Sequence, residues 1–266
     1  MKNVLLLIHD DEGQEARLQA ALDLTRSLSG HLTCLDIVQI PVLSGSEYYP
    51  DAELMLLAEA REREAANAQH VRQRLETEDV AWSWIDHTGN IAPLIEGAAA
   101  LADVIVLNTA IAAHIRPDMQ SIVSDVVLKA GKPILAVPAT RRGIELEGHV
   151  LVAWDGSPPA AEALRAATPL LARAVGVTIL EIGTIAGDAA EEAASYLSRH
   201  GVHARIERLD ELEGGIAGML LMIMEQRRPA YCIMGAYGHS RLRESLFGGI
   251  TRRMLAEAPV PLFLSH

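Results

Sequence analysis

The sequence predicts an α/β protein made of two tandem, doubly wound domains, residues 1–140 and 148–266, and three observations lead there. The segment "KNVLLLIHDDEGQEARLQAALDLTRSLSGHLTCLDIV" (Lys2 to Val38) is echoed 145 to 146 residues later by "GHVLVAWDGSPPAAEALRAATPLLARAVGVTILEIG" (Gly148 to Gly183). An internal repeat of that length is two copies of one domain. Within each copy, short and almost uniformly apolar runs read as parallel strands buried on both faces. Between the runs lie stretches of helical spacing, and alternating β and α implies a parallel sheet wound on both sides.

In order along the first copy, "NVLLLI" is a strand closed by the acidic turn "HDDEG", and Leu18, Ala21, Leu22, Leu24 and Thr25 form a helical stripe. After Gly30 comes a second strand, "HLTCLDIV". The charged segment Asp51 to Glu78 reads as one long helix with opposite charges four apart. "VAWSWID", "ADVIVLNTA" and "LKAGKPILAVPA" supply strands three to five. Arg141 to Gly148, "RRGIELEG", is polar and glycine-flanked and is expected to be the linker. In the second copy, Ser157 before Pro158 and Pro159 marks a capped helix start, with Ala163, Leu164, Ala167, Leu170 and Leu171 as its apolar face. Only "GDAAEEAASYLSRH" stands where the first copy has its long helix. "VHARIERLD", "AYCIMGAYG" and "LAEAPVPLFLSH" match the last three strands. In "GGIAGMLLMIMEQRRP", residues Ile216, Met219, Leu220, Ile223 and Met224 follow helical spacing as a core face against the sheet.

Half of the residues are hydrophobic but only 4% are aromatic, so the core must be aliphatic. The net charge of -12 argues against nucleic acid or an anionic membrane as the main partner. Residues 1–140 hold 10 Lys and Arg against 20 Asp and Glu, whereas residues 141–266 hold 13 arginines against 15 acids, so the second half suits an anion better. Cys34 and Cys232 each lie in an apolar run and are expected as buried, reduced thiols. The apolar run at the amino terminus is too short for a signal peptide, and no later run reaches membrane-spanning length without charge, so a cytoplasmic location is expected.

Ligands of open parallel sheets bind beyond the carboxyl ends of the strands, where the winding reverses. If the first and fourth strands are neighbours there, the turns "AWDGSPP" and "MGAYG" face each other, with Asp155 opposite Gly235. The stretch "MGAYGHSRLRESLFGGITRRML" concentrates Gly235, Gly238, Gly248 and Gly249 before a helix expected over Ile250 to Ala256. Such glycines admit phosphate to main-chain amides, and a helix amino end favours an anion. The same glycines are equally consistent with tight turns. The Gly-Lys-Ser/Thr of a P-loop and the dinucleotide fingerprint are both missing. His239 is a secondary candidate for polarising a phosphate, and Arg241, Arg243, Arg252 and Arg253 read as a solvated face. His9, Asp10 and Asp11 read as the acidic first turn of the repeat, not as metal ligands. No Ser/His/Asp or paired-carboxylate constellation is present, so no catalytic residue is assigned.

The spacing Gly235, two residues, Gly238, nine residues, Gly248 resembles the ATP-binding signature of universal stress proteins. With "VLVAWDGSPPAAEAL" and the terminal "PVPLFLSH", the whole chain is similar to a tandem, two-domain member of that family. The resemblance implies two Rossmann-like domains, each a five-stranded sheet of order 3-2-1-4-5, paired through their fifth strands into an intramolecular pseudo-dimer. It implies ATP, with Mg as a companion ion, as ligand. Ala153, Trp154 and Asp155 would border adenine and ribose, with Ile182 lining the base and Met234 beside it. Gly235 and Gly238 would run along ribose and phosphates, and Gly248, Gly249, Ile250 and Thr251 would cradle the phosphates. Gly249 departs from the family's Ser/Thr, and Thr251 is the substitute hydroxyl. In the first copy Asn108, Ile111, Gln120 and Ser121 replace Gly235, Gly238, Gly248 and Gly249, so that half is expected to have lost the site. The implied function is an ATP-binding regulator or interaction protein of the stress response, with a homodimer and a protein partner as further associations. The alternatives are a slow ATP hydrolase and a structural module that binds no nucleotide.

Overall fold

Apolar strands buried on both faces organise the chain. A computed structural model describes residues 1–40, 50–110, 118–183, 187–237 and 249–266. In the first half, β1 (Asn3–Ile8), α1 (Gln14–Leu28), β2 (His31–Gln39), α2 (Pro50–Leu75) and β3 (Ala81–Gly89) are followed by α3 (Ile91–Ala98), β4 (Val104–Asn108), α4 (Met119–Lys129) and β5 (Ile134–Val137). The second half repeats the order as β6 (His149–Ala153), α5 (Pro158–Leu171), β7 (Gly176–Ile182), α6 (Ala189–Arg199) and β8 (Ala204–Leu209). It ends with α7 (Gly215–Arg227), β9 (Tyr231–Gly235), α8 (Ile250–Glu257) and β10 (Leu262–Ser265).

The strands form one sheet of order β3-β2-β1-β4-β5-β10-β9-β6-β7-β8, so each half has the order 3-2-1-4-5. Neighbours are parallel except at the centre, where β10 runs antiparallel to β5 with Phe263 opposite Leu135. Strand alternation divides the core between the two faces of this sheet. Val4, Leu6 and Ile8 pack with α1, α2, α5 and α6 residues such as Leu22, Val71, Leu164 and Leu197. Leu5 and Leu7 pack on the other face, where Ile95, Val126, Met219 and Met254 come from α3, α4, α7 and α8. The outer strands β3 and β8 are only partly buried, and β8 carries Arg205, Glu207 and Arg208, charges of the kind that disfavour edge pairing.

Local chemistry sets the helix starts. Ser157 caps α5, its Oγ accepting the Ala160 N–H at 3.3 Å, and two prolines occupy the first turn. The long helix expected to Glu78 ends at Leu75, and the amides of Glu76, Thr77 and Glu78 close a turn onto Arg72, Arg74 and Leu75. The linker stretch is less polar in place than in sequence: Ile144 and Leu146 are buried, and the Ile144 N–H donates to Asp23 on α1 at 3.0 Å. Cys34 and Cys232 are free and buried, and burial pushes both thiols up to about 12.

Side chains and main chain also tie the halves together beyond the central strands. The Gln120 amide on α4 donates to the Arg252 carbonyl on α8 at 2.7 Å, and the Ala110 N–H donates to the Leu255 carbonyl at 2.8 Å.

Candidate functional site

The crevice of the second half opens beyond the carboxyl ends of β6 and β9. Its turn after β6 is fixed from within: the Ser157 N–H donates to Asp155 Oδ1 at 3.0 Å, and the Trp154 N–H donates to the Leu180 carbonyl at 2.9 Å. A cavity of about 100 Å³ lies there, and it gathers many of the residues singled out in the sequence. Ala153, Trp154, Asp155 and Ile182 line it on the β6 and β7 side. Met234, Gly235, Ile250 and Thr251 line it from β9 and α8. Gly249 is the N-cap of α8, has an extended ψ of 166° and offers no side-chain cap, so among the described residues no side chain at the N-cap covers the first-turn amides of that helix. Gly238 and Gly248 lie outside the described residues, as do Ile111, His239, Arg241 and Arg243.

Four lining residues were not assigned to a ligand from sequence: Leu180, Ile216, Leu220 and Tyr237. Ile216 and Leu220 belong to the apolar stripe of α7, and the first turns of that helix stand beside the strand ends. The available signal was that position on the stripe, since the same stripe also faces the sheet. Tyr237 sits in the left-handed region at φ +58°. Its N–H donates to Thr251 Oγ1 at 3.2 Å, and its hydroxyl donates to Ser124 Oγ on α4 of the first half at 2.7 Å.

Three of these residues also have structural partners of their own. An added Cβ at Gly235 would meet main-chain atoms of α5, Ala160 N at 2.5 Å and Pro159 C at 2.9 Å, so packing against that helix already requires glycine. Thr251 is buried and its Oγ1 is the acceptor for the Tyr237 amide, which makes the hydroxyl a brace for the loop before it is anything else. The Trp154 ring packs in the cluster on the α5 side of the sheet, whereas Leu180 and Ile182 belong to the opposite cluster.

At the corresponding strand ends of the first half a cavity of about 690 Å³ is lined by His9, Gln39, Glu64, Asp118, Ser121 and Asp125, while the space between β4 and α1 is taken by side chains. Arg17 on α1 is wholly buried, and its guanidinium donates to the carbonyls of Leu7 at 2.8 Å and His9 at 2.6 Å. It also meets Asp11 Oδ1 and Asn108 Oδ1, both at 2.6 Å. Asn108 completes the network by donating to the carbonyls of Gly13 and Val137 at 3.0 Å each. At α4 the helix amino end has its own carboxylate, since Asp118 Oδ1 accepts the Ser121 N–H at 3.4 Å. Gln120 turns to the second half instead of to a ligand. Of the acidic turn, Asp11 serves Arg17, and His9 Nδ1 faces Glu64 Oε1 at 2.6 Å.

No protein-family model matches the chain, and no curated protein does. Solved structures do. A universal stress protein from Archaeoglobus fulgidus DSM 4304 superposes with a TM-score of 0.78 at 17% identity, over 99% of this chain and 95% of that one. A functionally unknown protein from Pseudomonas aeruginosa PAO1 gives 0.58 at 15% identity, over 100% and 92%. The cytoplasmic domain of a prokaryotic cation chloride cotransporter gives 0.51 at 12% identity, over 99% and 94%. The class defined by sheet order and crevice is a pair of doubly wound α/β domains. More particularly, the chain has the universal stress protein fold in its tandem form. At these identities the likeness is one of fold, and a fold hosts many functions.

Proposed function

We propose that the chain is a universal stress protein that binds ATP in the crevice of its second half and acts in the cytoplasm as a nucleotide-dependent regulator. One observation carries the reading: Asp155, Ile182, Met234, Ile250 and the amino end of α8 converge on a single cavity at the carboxyl ends of β6 and β9. Leu180, Ile182, Ile216 and Leu220 offer apolar walls to a base, and the uncapped α8 amides offer donors to phosphate. Gly238 and Gly248 would extend that cradle, with Mg accompanying the phosphates. The first half differs at the equivalent strand ends: its cavity of about 690 Å³ is lined by the carboxylates of Glu64, Asp118 and Asp125 beside Arg63, and Asp118 caps the helix amino end there, so it suits a polyphosphate less well. It serves as the partner against which β10 and α8 are held, completing an intramolecular pseudo-dimer. A homodimer and a protein partner belong to the same reading, in which binding and not turnover is the output.

The experiment is mass spectrometry of ligand released from purified protein, joined to calorimetric titration of ATP into wild type and Gly249→Asp. One site per chain is expected, weakened in the variant because the new carboxylate takes the α8 amides. Two equivalent sites, or undiminished binding by the variant, would contradict the assignment. Turnover on the order of one per second or faster would move the protein to the enzymes.

A second reading, an interaction module without nucleotide, has its own supporting observation. The cavity of about 100 Å³ is below the roughly 300–1,000 Å³ common for small-molecule sites. ATP binding therefore requires the walls to part. Absence of both released nucleotide and measurable binding would favour this module.

A further inference from the structure

A cleft of about 750 Å³ lies in the first half between α2 and the strands β2 and β3, a size suited to a small molecule. Asp36 of β2 lines it. The residue is only 5% exposed, and its Oδ1 has no hydrogen-bond partner. A buried carboxylate left without a donor is costly, so this one calls for an explanation.

Three of the charged groups around Asp36 are engaged with other partners, although Arg72 Nε has none, and Arg61, Glu76 and His87 also line the cleft. From α2, Glu64 pairs with His9 at 2.6 Å and accepts the Asp10 N–H at 3.1 Å. Arg72, also on α2, donates to both oxygens of Asp86 on β3 at 2.9 and 3.1 Å and lies 4.4 Å over the Trp84 ring. His9, following β1, is held between Glu64 and the Ile37 carbonyl. Among Asp36, Glu64 and Asp86, Asp36 is thus the carboxylate that has no cation of its own. Burial, reinforced by the fields of Glu64 and Asp86, pushes its carboxyl up to about 7, with Arg72 and His9 opposing.

We propose that this cleft is a second small-molecule site, taking a compact organic cation, an aliphatic ammonium or guanidinium, whose N–H groups bind the Asp36 carboxylate. A cation supplies both the missing donor and the missing countercharge. An anion would meet four carboxylates, Asp36, Glu64, Glu76 and Asp86, against two arginines, Arg61 and the Asp86-bound Arg72, and a neutral alcohol would leave the charge uncompensated. The occupant replaces the proton that Asp36 otherwise holds near neutrality, so binding releases a proton. The inference stands apart from ATP binding, which concerns the other half.

The test is calorimetry of agmatine and of butylammonium with the full chain at pH 6.5, in two buffers of different ionisation enthalpy. The expected result is one site per chain in the micromolar to low millimolar range, with net proton release. Asp36→Asn, which keeps the shape of the side chain, should lower affinity at least tenfold and abolish the release. Butanol and succinate should not bind. Failure of both cations to bind, equal binding by butanol or by magnesium, undiminished binding by Asp36→Asn, or binding without proton release would each overturn the proposal. The last outcome is read on wild type alone, so it holds even if the variant fails to fold.

Discussion

Gly235→Ala separates a glycine kept for packing from a glycine kept for a ligand. An alanine Cβ would stand 2.5 Å from Ala160 N, 2.9 Å from Pro159 C and 3.0 Å from Ala160 Cα. All three are main-chain atoms in the first turn of α5, which cannot rotate aside as a side-chain tip can. Either α5 or the end of β9 must move by roughly half an ångström or more, and both elements are in the core. Overpacking of this kind costs about 1–3 kcal/mol, which for a protein of this size lowers Tm by roughly 2–4 °C for each kcal/mol. The assay is urea and thermal unfolding of wild type and variant with no nucleotide present. A loss of about 1 kcal/mol or more is expected under those conditions. An unliganded variant within about 0.5 kcal/mol of wild type, the range of an inconsequential surface change, would refute the packing argument. Gly235 would then be a glycine reserved for ligand approach.

Three further outcomes follow from the first half and the junction. Arg17→Met, which leaves Asp11 and Asn108 buried without their cation, should cost about 3–5 kcal/mol, read as a shift of the urea midpoint. Tyr237→Phe removes the hydroxyl that donates to Ser124 and should cost about 0.5–1.5 kcal/mol. A double-mutant cycle with Ser124→Ala should show that most of this loss is shared, and fully additive losses would mean the bond contributes nothing across the halves. For Asp36, the folded carboxyl titrates near 7 and the unfolded one near ~4, so between those values the folded chain holds more protons. Stability from this group is full below about pH 4 and is lost as pH rises through about 7. Asp36→Asn should flatten that part of the pH profile of the unfolding midpoint, and an unchanged slope would place the titration elsewhere.

The elements were legible because burial on both sides forces apolar runs such as "NVLLLI" and "YCIMG", and because Ser157 and two prolines announce a helix by local chemistry alone. The sheet order came with the family resemblance. What sequence could not convey was the environment created when distant segments meet. Arg17 lies on an amphipathic helix, where an arginine ordinarily faces water, and only the approach of Leu7, His9, Asp11 and Asn108 makes it a core residue. Gly235 was noticed for its spacing, but its neighbour in space is a helix start more than seventy residues earlier. Asp36 did leave a trace, a lone acid inside "TCLDIV". Reading it required knowing that α2 would cover that face of the sheet.

The two halves solve one packing problem in opposite ways, and the difference sets the charge each can accept. An added Cβ on Gly13 would meet the Asn108 side chain at 2.5 Å, just as one on Gly235 would meet Pro159 and Ala160. In the first half the glycine is on the helix side and the bulky residue on the strand. In the second the strand carries the glycine. With the repeat offset of 146, Arg17 corresponds to Ala163, so the first half adds a buried cation where the second has a methyl group. That arginine is consumed by Asp11 and by carbonyls, and Asp118 closes the helix amino end that Gly249 leaves open. The donors that Arg17 and Asn108 bring are spent within the fold, and Asp118 takes up a helix amide, while the surrounding carboxylates stay in place. Duplication therefore left one scaffold with two electrostatic characters, donors facing the crevice of the second half and acceptors in the cleft of the first. On the two proposals an anion and a cation would bind the same chain without competing for the same groups.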